Sequence, residues 1–480
     1  GDISAGLAVS VVKNALYKVI RARSADDIGK NVVVQGGTFL NDSVLRSFEM
    51  ELGRPVVRPA IAGLMGAFGA ALYARSLQPE GVLTAAELAA FTHQSKAVNC
   101  GLCTNHCNLT VNTFGDGSRH IAGNRCERPV TGKAGGGELP DMVEWKYEKL
   151  THLPSEPGPR GDIGLPLALN MYENLPFWHA FFTELGFRVV VSGRSSKSVY
   201  LKGQNTIPSD TVCYPAKLVH GHIKLLLEQG VQTIFYPCLS YNFNEEISDN
   251  CYNCPVVAYY PEVVKGNMDL GGCQFIYPYI SLNDRKVFEK KITGYLNEYG
   301  FALRRSEVSR AAERAYQAYA DYRREVKEEG ARALAYAKEH GCKTVILAGR
   351  PYHIDPEIGH GINKLLRSLG FVVLTEDGVS WMEGYEKRTV LNQWTYHARM
   401  YNAARYAGQA ENTELIQLVS FGCGLDAITT DEMRDILRGC GKIYTQIKID
   451  EVDNLGAIKI RIRSLLAAME ERERQQHAAN

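Results

Sequence analysis

The segment from Pro208 to Pro255 constrains the fold most, because it places cysteines at the two ends of one helix–strand unit. Ser209 and Asp210 are residue types that favour a helix N-cap, and Pro215 is tolerated in a first helical turn, where its missing N–H costs nothing. An apolar helical period then runs to a glycine stop at Gly230. The pattern predicts a helix followed by a short buried strand.

The two cysteines of this unit fall at positions typical of ligand sites. Cys213 lies at the predicted helix N-terminus, where the helix dipole favours a thiolate or an anionic metal–sulfur cluster. Cys238 follows the predicted strand Val231–Phe235, at the edge where open α/β sheets bind ligands. The alternative is two buried, unliganded cysteines, because free cysteine packs well as a small apolar residue.

Size and charge limit the possible partners. The 480 residues are enough for two to four domains. Lys and Arg total 54 against 53 Asp and Glu, a balance that argues against nucleic acid as the main partner. The longest apolar run, Ile61–Tyr73, is interrupted by glycines and is shorter than the ~20 residues of a membrane span, so we expect no membrane association. Twelve cysteines, several in C-x-x-C spacing, favour metal ligation in a reducing cytoplasm over disulfides.

Four cysteines form the strongest local pattern, within a predicted small module at residues 99–150. Cys100, Cys103, Cys107 and Cys126 have the spacing C-x2-C-x3-C-x18-C. A turn brings two nearby thiols to one metal edge, and a predicted hairpin after Cys107 returns Cys126 to them. We expect one metal centre here. All-thiolate ligation favours a [4Fe–4S] cluster, and zinc remains the alternative.

The chain beyond the loop-rich residues 130–160 repeats a strand–helix–Leu-Gly-Phe–strand pattern. This repeat predicts an α/β protein with two tandem Rossmann-like parallel-sheet subdomains, at 160–283 and 341–480. Residues 284–340 are charged and helical in period, which predicts a solvated helical connector and a homodimer surface. The predicted elements are strand Ile163–Leu169, helix Trp178–Leu185 and strand 185–192, then strand Thr344–Ala348, helix Ile358–Leu369 and strand 369–376.

A third cysteine of the same kind lies in the second subdomain. Cys423 follows the predicted strand Leu415–Val419 and is flanked by Gly422 and Gly424, which let backbone amides approach cluster sulfurs or an anion. We therefore expect Cys213, Cys238 and Cys423 to face one cleft between the two subdomains. Cys254 or Cys251 is the candidate to complete the coordination.

Four further residues are weak catalytic candidates. His220 and His222 lie beyond Cys213 on the same predicted helix and are candidate proton carriers, although histidines on an exposed helix face are common. Glu262 and Arg350 are expected near the cleft, with Arg350 a candidate for holding a phosphate or carboxylate. Surface salt bridges are the alternative for both.

Residues 1–75 carry a family resemblance. A predicted strand at 31–35, the Gly36-Gly37 turn and a helix to Leu52 lie in QGGTFLNDSVLRSFE, which RPAIAGLMGAFGAALYA follows. These stretches resemble the C-terminal end of the actin/Hsp70-type ATPase domain of acyl-CoA dehydratase activases (BadF/BcrA type). The resemblance implies that Gly36 and Gly37 lie against adenosine. The phosphate-binding loops of the family lie upstream of this chain, which begins without Met, so we expect a fragment that binds ATP only together with that upstream region and does not hydrolyse ATP alone. Residues 76–98 are the predicted linker.

The chain from about residue 100 onward is similar to activase-related proteins whose C-terminal half resembles 2-hydroxyacyl-CoA dehydratase subunits. The similarity lies in PSDTVCYPAKLVHGH, FYPCLSYN, NCPVVAYYPEVV, NQWTYHARMYNAA and SFGCGLDAITTDE. It implies a [4Fe–4S] cluster, or a double-cubane, held by Cys213, Cys238 and Cys423, with Cys254 as a further candidate ligand. It also implies low-potential electrons from an activase or ferredoxin, and an acyl-CoA or other small anionic substrate.

The combination of all three parts in one chain departs from the family pattern. Dehydratase and reductase chemistry are therefore both open, and so is a non-catalytic function. In that alternative the protein is a zinc-stabilised scaffold that docks an activase partner.

Overall fold

The structure of the protein is a computed structural model, and it divides the chain into two compact units, Gly1–His93 and Gln94–Asn480. It describes residues 1–20, 22, 24–77, 84–101, 107–124, 128–131, 139–420, 422–451 and 455–479. The helices are α1 (Asp2–Lys13), α2 (Asp42–Leu52), α3 (Met65–Leu77), α4 (Ala85–Ala90), α5 (Arg128–Thr131), α6 (Met142–Thr151), α7 (Met171–Glu184), α8 (Lys197–Gly203), α9 (Tyr214–Glu228), α10 (Pro255–Asn267), α11 (Arg285–Glu298), α12 (Arg305–Glu339), α13 (Ile362–Ser368), α14 (Glu376–Val379), α15 (Thr395–Gln409), α16 (Gly424–Gly439) and α17 (Leu455–Ala479). The strands are β1 (His93–Asn99), β2 (Asn108–Phe114), β3 (Arg119–Ala122), β4 (Asp162–Leu165), β5 (Arg188–Val191), β6 (Thr233–Phe235), β7 (Cys238–Tyr241), β8 (Gln274–Ile276), β9 (Tyr279–Ser281), β10 (Lys343–Ala348), β11 (Phe371–Thr375), β12 (Thr413–Ser420) and β13 (Thr445–Ile449).

The first unit is built on the pairing of α1 with α2. Apolar residues one helical turn apart, such as Val44 and Phe48, bury one face of α2 against α1. The Asn41 side chain accepts a hydrogen bond from the Ser43 backbone N–H and caps α2. In place of the strand predicted at 31–35, the structure has one isolated parallel bridge, between Val33 and Val57.

The second unit contains two four-stranded parallel sheets with the same strand order. The order is β5-β4-β6-β8 in the first sheet and β11-β10-β12-β13 in the second. In each sheet the first strand lies between the second and the third, and this order explains the repeated strand–helix–strand pattern of the sequence. Ligands of such sheets bind at the carboxyl edge where the strand order reverses, which is between β10 and β12 in the second sheet.

Three predicted element boundaries in the repeats are wrong. The predicted strand Ile163–Leu169 ends at Leu165, and the first helix begins at Met171 rather than at Trp178. The predicted helix Ile358–Leu369 begins only at Ile362. His360 and Gly361 before it have positive φ, and this left-handed backbone cannot continue a helix.

The connector at 284–340 is less solvated than its composition suggests. It forms α11 and the long helix α12, which packs along α7 and against α14. One face of α12 is buried and carries small residues, among them Ala311, Ala312 and Ala315, so a neighbouring helix can approach closely. Most of the charged residues occupy the opposite face, and Arg323 is an exception because its side chain is only 11% exposed.

A three-stranded sheet of order β1-β2-β3 contains the predicted hairpin. Strands β2 and β3 pair antiparallel, with Val111 opposite Ile121. Cys100 and Cys107 flank the segment before β2, and both are buried against Leu109. Cys103 and Cys126 lie outside the described residues, so the predicted four-cysteine centre is described only at Cys100 and Cys107.

Candidate functional site

Three cysteines from distant parts of the sequence occupy the same structural position, the N-cap of a helix. Cys213 caps α9, Cys254 caps α10 and Cys423 caps α16. All three are half-buried. Each helix precedes a sheet strand and runs antiparallel to it, so the helix N-terminus lies at the carboxyl edge of the strands. The unpaired backbone N–H groups and the dipole of the helix favour negative charge at that end.

The three thiols lie close enough to affect one another. Burial raises the pKa of Cys213 to about 11, and the neighbouring Cys254 and Cys423 raise it further while Arg350 opposes them. Burial likewise raises the pKa of Cys254, with Cys423 adding to the effect and Arg350 again opposing it. Cys423 and Arg350 thus act electrostatically on both of the other thiols, which places these four side chains in one region of the protein.

Arg350 is held in place by the second sheet. It follows β10, and its two Nη atoms donate to the Asp426 carboxylate at 2.5 and 2.9 Å. Its guanidinium also donates to Ser420 Oγ at 3.1 Å and lies 3.8 Å from Cys423 Sγ. Burial alone would raise the pKa of Asp426, but Arg350 holds it well below its usual range. The sequence prediction that Arg350 faces the cleft is consistent with this arrangement, although its carboxylate partner is Asp426 of this chain.

Two buried histidines that the sequence analysis did not single out flank this ion pair. His397 Nε2 lies 3.7 Å from Asp426 Oδ1, and among the described residues neither ring nitrogen of His397 has a hydrogen-bond partner. His353 accepts a hydrogen bond at Nδ1 from the Arg350 backbone N–H at 2.9 Å. Burial lowers the pKa of both imidazoles, so both are neutral near pH 7. The His397 signal was present in the sequence, in NQWTYHARMYNAA.

Cys238 has different neighbours. Its side chain is buried at the start of β7, and burial raises its pKa to about 12. The charged and polar groups that act on it are Glu262 and Tyr279. Tyr279 Oη donates to Glu262 Oε1 at 2.5 Å, so Glu262 belongs to this group rather than to the space beside Arg350. Cys251 is buried and lies 3.6 Å from Asn244 Oδ1.

His220 and His222 are buried in α9 instead of exposed. His220 contacts Thr206 Oγ1 at 2.8 Å and Tyr260 Oη at 3.1 Å. His222 contacts Ser192 at 2.8 Å and Ser195 at 2.9 Å. Burial lowers the pKa of each histidine to about 4. With both ring nitrogens of each histidine occupied, these side chains position α9 against its neighbours.

A buried network of charges joins the two subdomains behind the site. Arg399 donates to Glu173 at 2.6 and 3.2 Å and to Glu245 at 3.0 Å. Arg323 on α12 lies 3.4 Å from Glu245 and 3.1 Å from Asp377. Lys146 on α6 adds a contact of 2.7 Å to Asp377. With three cations and three carboxylates, the network is balanced in charge.

The other predicted sites are the Gly36-Gly37 turn and the four-cysteine module, for which the structure gives local backbone contacts. Gly36 has φ 98° and donates its N–H to Ala62 O at 2.7 Å, and Gly37 starts a short 3-10 turn. Cys100 donates its backbone N–H to Cys107 O at 2.8 Å, which keeps these two residues adjacent. Within the described parts of the chain, no group of three or more His, Cys, Asp and Glu side chains is arranged to hold a metal ion. No helix there combines the length and apolar character that a membrane span requires.

Two comparisons with known proteins indicate the kind of protein to which this chain is related. Residues 162–379 match the family model described as "CoA enzyme activase uncharacterised domain". This range contains Cys213, Cys254 and Arg350 but not Cys423. The 2-hydroxyisocaproyl-CoA dehydratase activator of Clostridioides difficile is 38% identical over 73 residues, which are 15% of this chain and 26% of the relative. The chain thus spans about a quarter of the length of the curated relative that it matches. Together the matches support an activase-related protein.

Proposed function

We propose that this chain is an iron–sulfur protein of the 2-hydroxyacyl-CoA dehydratase/activase superfamily, in which Cys213, Cys254 and Cys423 hold a cluster. The observation that supports the proposal is that these three cysteines are each at a helix N-cap and lie in one region near Arg350. Cys238 was in the ligand set expected from sequence. The proposal uses Cys254 instead, because Cys423 and Arg350 are among the groups that act on Cys254, whereas Glu262 and Tyr279 act on Cys238.

The donor set suits a [4Fe–4S] cluster. Thiolates on such a cluster each bind a different iron, so the site needs several sulfurs that face a common space. Three thiolates leave one iron without a cysteine ligand. Three helix N-termini together supply roughly 1.5 elementary charges of positive partial charge, which offsets the negative charge of a thiolate-ligated cluster. The bound cluster would supply one-electron transfer at low potential, for reductive or dehydration chemistry.

The surrounding residues set the conditions at the site. Arg350 places a fixed positive charge 3.8 Å from Cys423 Sγ, and Asp426 keeps the guanidinium in that orientation. His397 lies beside the same ion pair, with Nε2 3.7 Å from Asp426 Oδ1, and is the nearby imidazole that could hold a proton. Burial of these groups excludes water and strengthens their electrostatic effects.

The other parts of the chain fit the same proposal. Cys100 and Cys107, with Cys103 and Cys126, would form a second centre, either a [4Fe–4S] cluster through which electrons enter or a structural zinc site. An activase or a ferredoxin would donate the electrons, and the substrate would be an acyl-CoA or another small anionic molecule. ATP binding would require the upstream part of the ATPase domain. We place the protein in the cytoplasm and expect a homodimer.

The test is the iron, acid-labile sulfide and zinc content of anaerobically purified protein. We expect about four iron and four sulfide per chain at the N-cap site, lost in Cys423→Ala and kept in Cys440→Ala, because Cys440 is an exposed thiol outside the site. Cys103→Ala should leave these irons in place and remove the metal of the second centre. Protein that contains only zinc, lost only in Cys103→Ala, would favour the zinc-stabilised scaffold instead.

A further inference from the structure

Tyr236 lies at the carboxyl edge of the first sheet, where α9 and α10 begin. It directly follows β6, the strand between β4 and β8. Its backbone N–H donates to Ile276 O at 2.9 Å, so the chain after β6 stays beside the end of β8. The helices α9 and α10 precede these two parallel strands, so their N-termini, with Cys213 and Cys254, lie at the same edge.

The two helices are joined by a contact that sets their relative height. His220 Nε2 of α9 lies 3.1 Å from Tyr260 Oη of α10, and the two rings pack edge to face. His220 is seven residues after Cys213, and Tyr260 is six residues after Cys254. At the rise of an α-helix, each N-cap is therefore about 9–10 Å from this contact along its own helix. The Cys213 and Cys254 ends thus lie at nearly the same level above the sheet edge.

The Tyr236 hydroxyl is a buried polar group without a partner. The side chain is fully buried, and Oη has no hydrogen bond to any of the described residues. Burial raises the pKa of this phenol well above its usual value, and Tyr260, Cys238, Cys254 and Cys213 raise it further. The hydroxyl is therefore a protonated donor in the neighbourhood of these thiols. Buried donors in folded proteins have acceptors as a rule, so this one calls for an acceptor of its own.

Two of the four neighbours of this hydroxyl already have hydrogen-bonding partners. Tyr260 Oη contacts a histidine of α9, and Cys238 has a hydrogen bond with Tyr279 that lowers its otherwise raised pKa. The other two neighbours, Cys213 and Cys254, are thiols of the proposed cluster. An acceptor for the Tyr236 hydroxyl is therefore expected on the side of these two helix N-caps.

We propose that the Tyr236 hydroxyl donates a hydrogen bond to a sulfur of the cluster at the helix N-caps, on the side of Cys213 and Cys254. This inference rests on the proposed function, because the acceptor belongs to that cluster. A hydroxyl that donates to a sulfur stabilises the reduced, more negative state more than the oxidised state, so Tyr236 raises the reduction potential. Arg350 supplies a positive charge from the second subdomain, and Tyr236 supplies a neutral donor from the first.

The reduction potential of this cluster in the full-length chain tests the proposal. It is measured by redox titration of anaerobically purified protein, followed by the EPR signal that Cys423→Ala removes. Tyr236→Phe keeps the ring and removes the hydroxyl, and it should lower the potential by about 59 mV, a tenfold change in a one-electron equilibrium. Tyr322→Phe is the matched control, because its hydroxyl is also buried without a partner among the described residues but lies near Asp377 and Glu173. It should leave the potential unchanged.

A second variant strengthens the donor instead of removing it. Replacing Tyr236 with 3-fluorotyrosine keeps the hydroxyl and makes it more acidic, so the potential should rise above that of the wild type. This measurement decides the matter if Tyr236→Phe does not retain the cluster.

Two results with iron-loaded protein would overturn the proposal for Tyr236 alone. One is an equal potential in the wild type, Tyr236→Phe and the fluorinated protein. The other is disappearance of the Tyr236→Phe effect in a Cys238→Ala background, since the hydroxyl would then act on Cys238. Protein without iron at the helix N-caps would overturn the proposed function as well, so the two failures are distinguishable.

Discussion

Replacing Arg399 by methionine tests how the two subdomains are held together. The Arg399 side chain is fully buried, and it donates to Glu173 and Glu245, of which Glu173 is also fully buried. Methionine preserves much of the volume and leaves both carboxylates without their main partner. Breaking a buried pair in this way costs about 3–5 kcal/mol of unfolding free energy, because an uncompensated charge remains. Urea unfolding at pH 7 measures the loss.

The pH dependence of that loss follows from Glu173. Burial alone would raise its pKa, but Arg399 and then Arg323 lower it from 4.5 to about 2. Such a decrease corresponds to about 3 kcal/mol of stability. Because the folded pKa is the lower one, this stability is present above about pH 4.5 and is lost as the pH falls towards 2. The difference between wild type and Arg399→Met should therefore shrink from pH 7 to pH 3.

The matched control is Arg324→Met, which removes an exposed arginine of α12. The Arg324 side chain is 61% exposed, so we expect a loss of less than about 0.5 kcal/mol at any pH. A loss below about 1 kcal/mol for Arg399→Met, or a loss that stays constant on acidification, would refute the argument that the buried charge network stabilises the contact between the two subdomains.

Two further substitutions probe packing and buried charge. Gly221→Ala should lower the unfolding free energy by about 1–3 kcal/mol, because the added Cβ would lie 2.0 Å from Val199 O. The control is Gly266→Ala, whose Cβ would meet no atom within 4 Å and which should be neutral or slightly stabilising in thermal unfolding. Burial and the neighbouring Asp377 raise the pKa of Glu376 from 4.5 to about 7. The folded state therefore keeps a proton that the unfolded state releases, and the unfolding free energy of the wild type should decrease as the pH rises from about 4.5 to 7. Glu376→Gln should remove that fall, and urea unfolding curves that decline equally in both proteins would contradict the assignment.

The sequence predicts the local parts of this structure well. The repeated Leu-Gly-Phe pattern identifies two parallel-sheet subdomains, and Pro215 indicates the helix start near Cys213, although the N-cap is Cys213 itself and not Ser209 or Asp210 as predicted. The same signal was available at Cys254, where Pro255 follows directly, since proline is favoured at the first helical position. The sequence analysis instead gave more weight to Cys238, because it follows a strand.

Other features cannot be found from local patterns. Glu173 and Arg399 are 226 positions apart, and nothing near either residue in the sequence indicates that they pair. The charged residues of α12 suggested a solvated helix, yet Arg323 faces the buried network. The predicted helix at 358–369 is shortened by the left-handed backbone of His360 and Gly361. Here a local signal was present, because histidine and glycine are both enriched at positive φ.

The central claim is that Cys254, together with Cys213 and Cys423, holds an iron–sulfur cluster. The most direct test compares the loss of Cys254 with the loss of Cys238. Cys254 lies at a helix N-cap beside Cys213 and Cys423, whereas Cys238 is buried next to Tyr279. Iron and acid-labile sulfide are measured on anaerobically purified wild type, Cys254→Ala and Cys238→Ala. The account predicts that Cys254→Ala loses about four irons per chain and that Cys238→Ala keeps them. Loss of iron in Cys238→Ala with full retention in Cys254→Ala would contradict it.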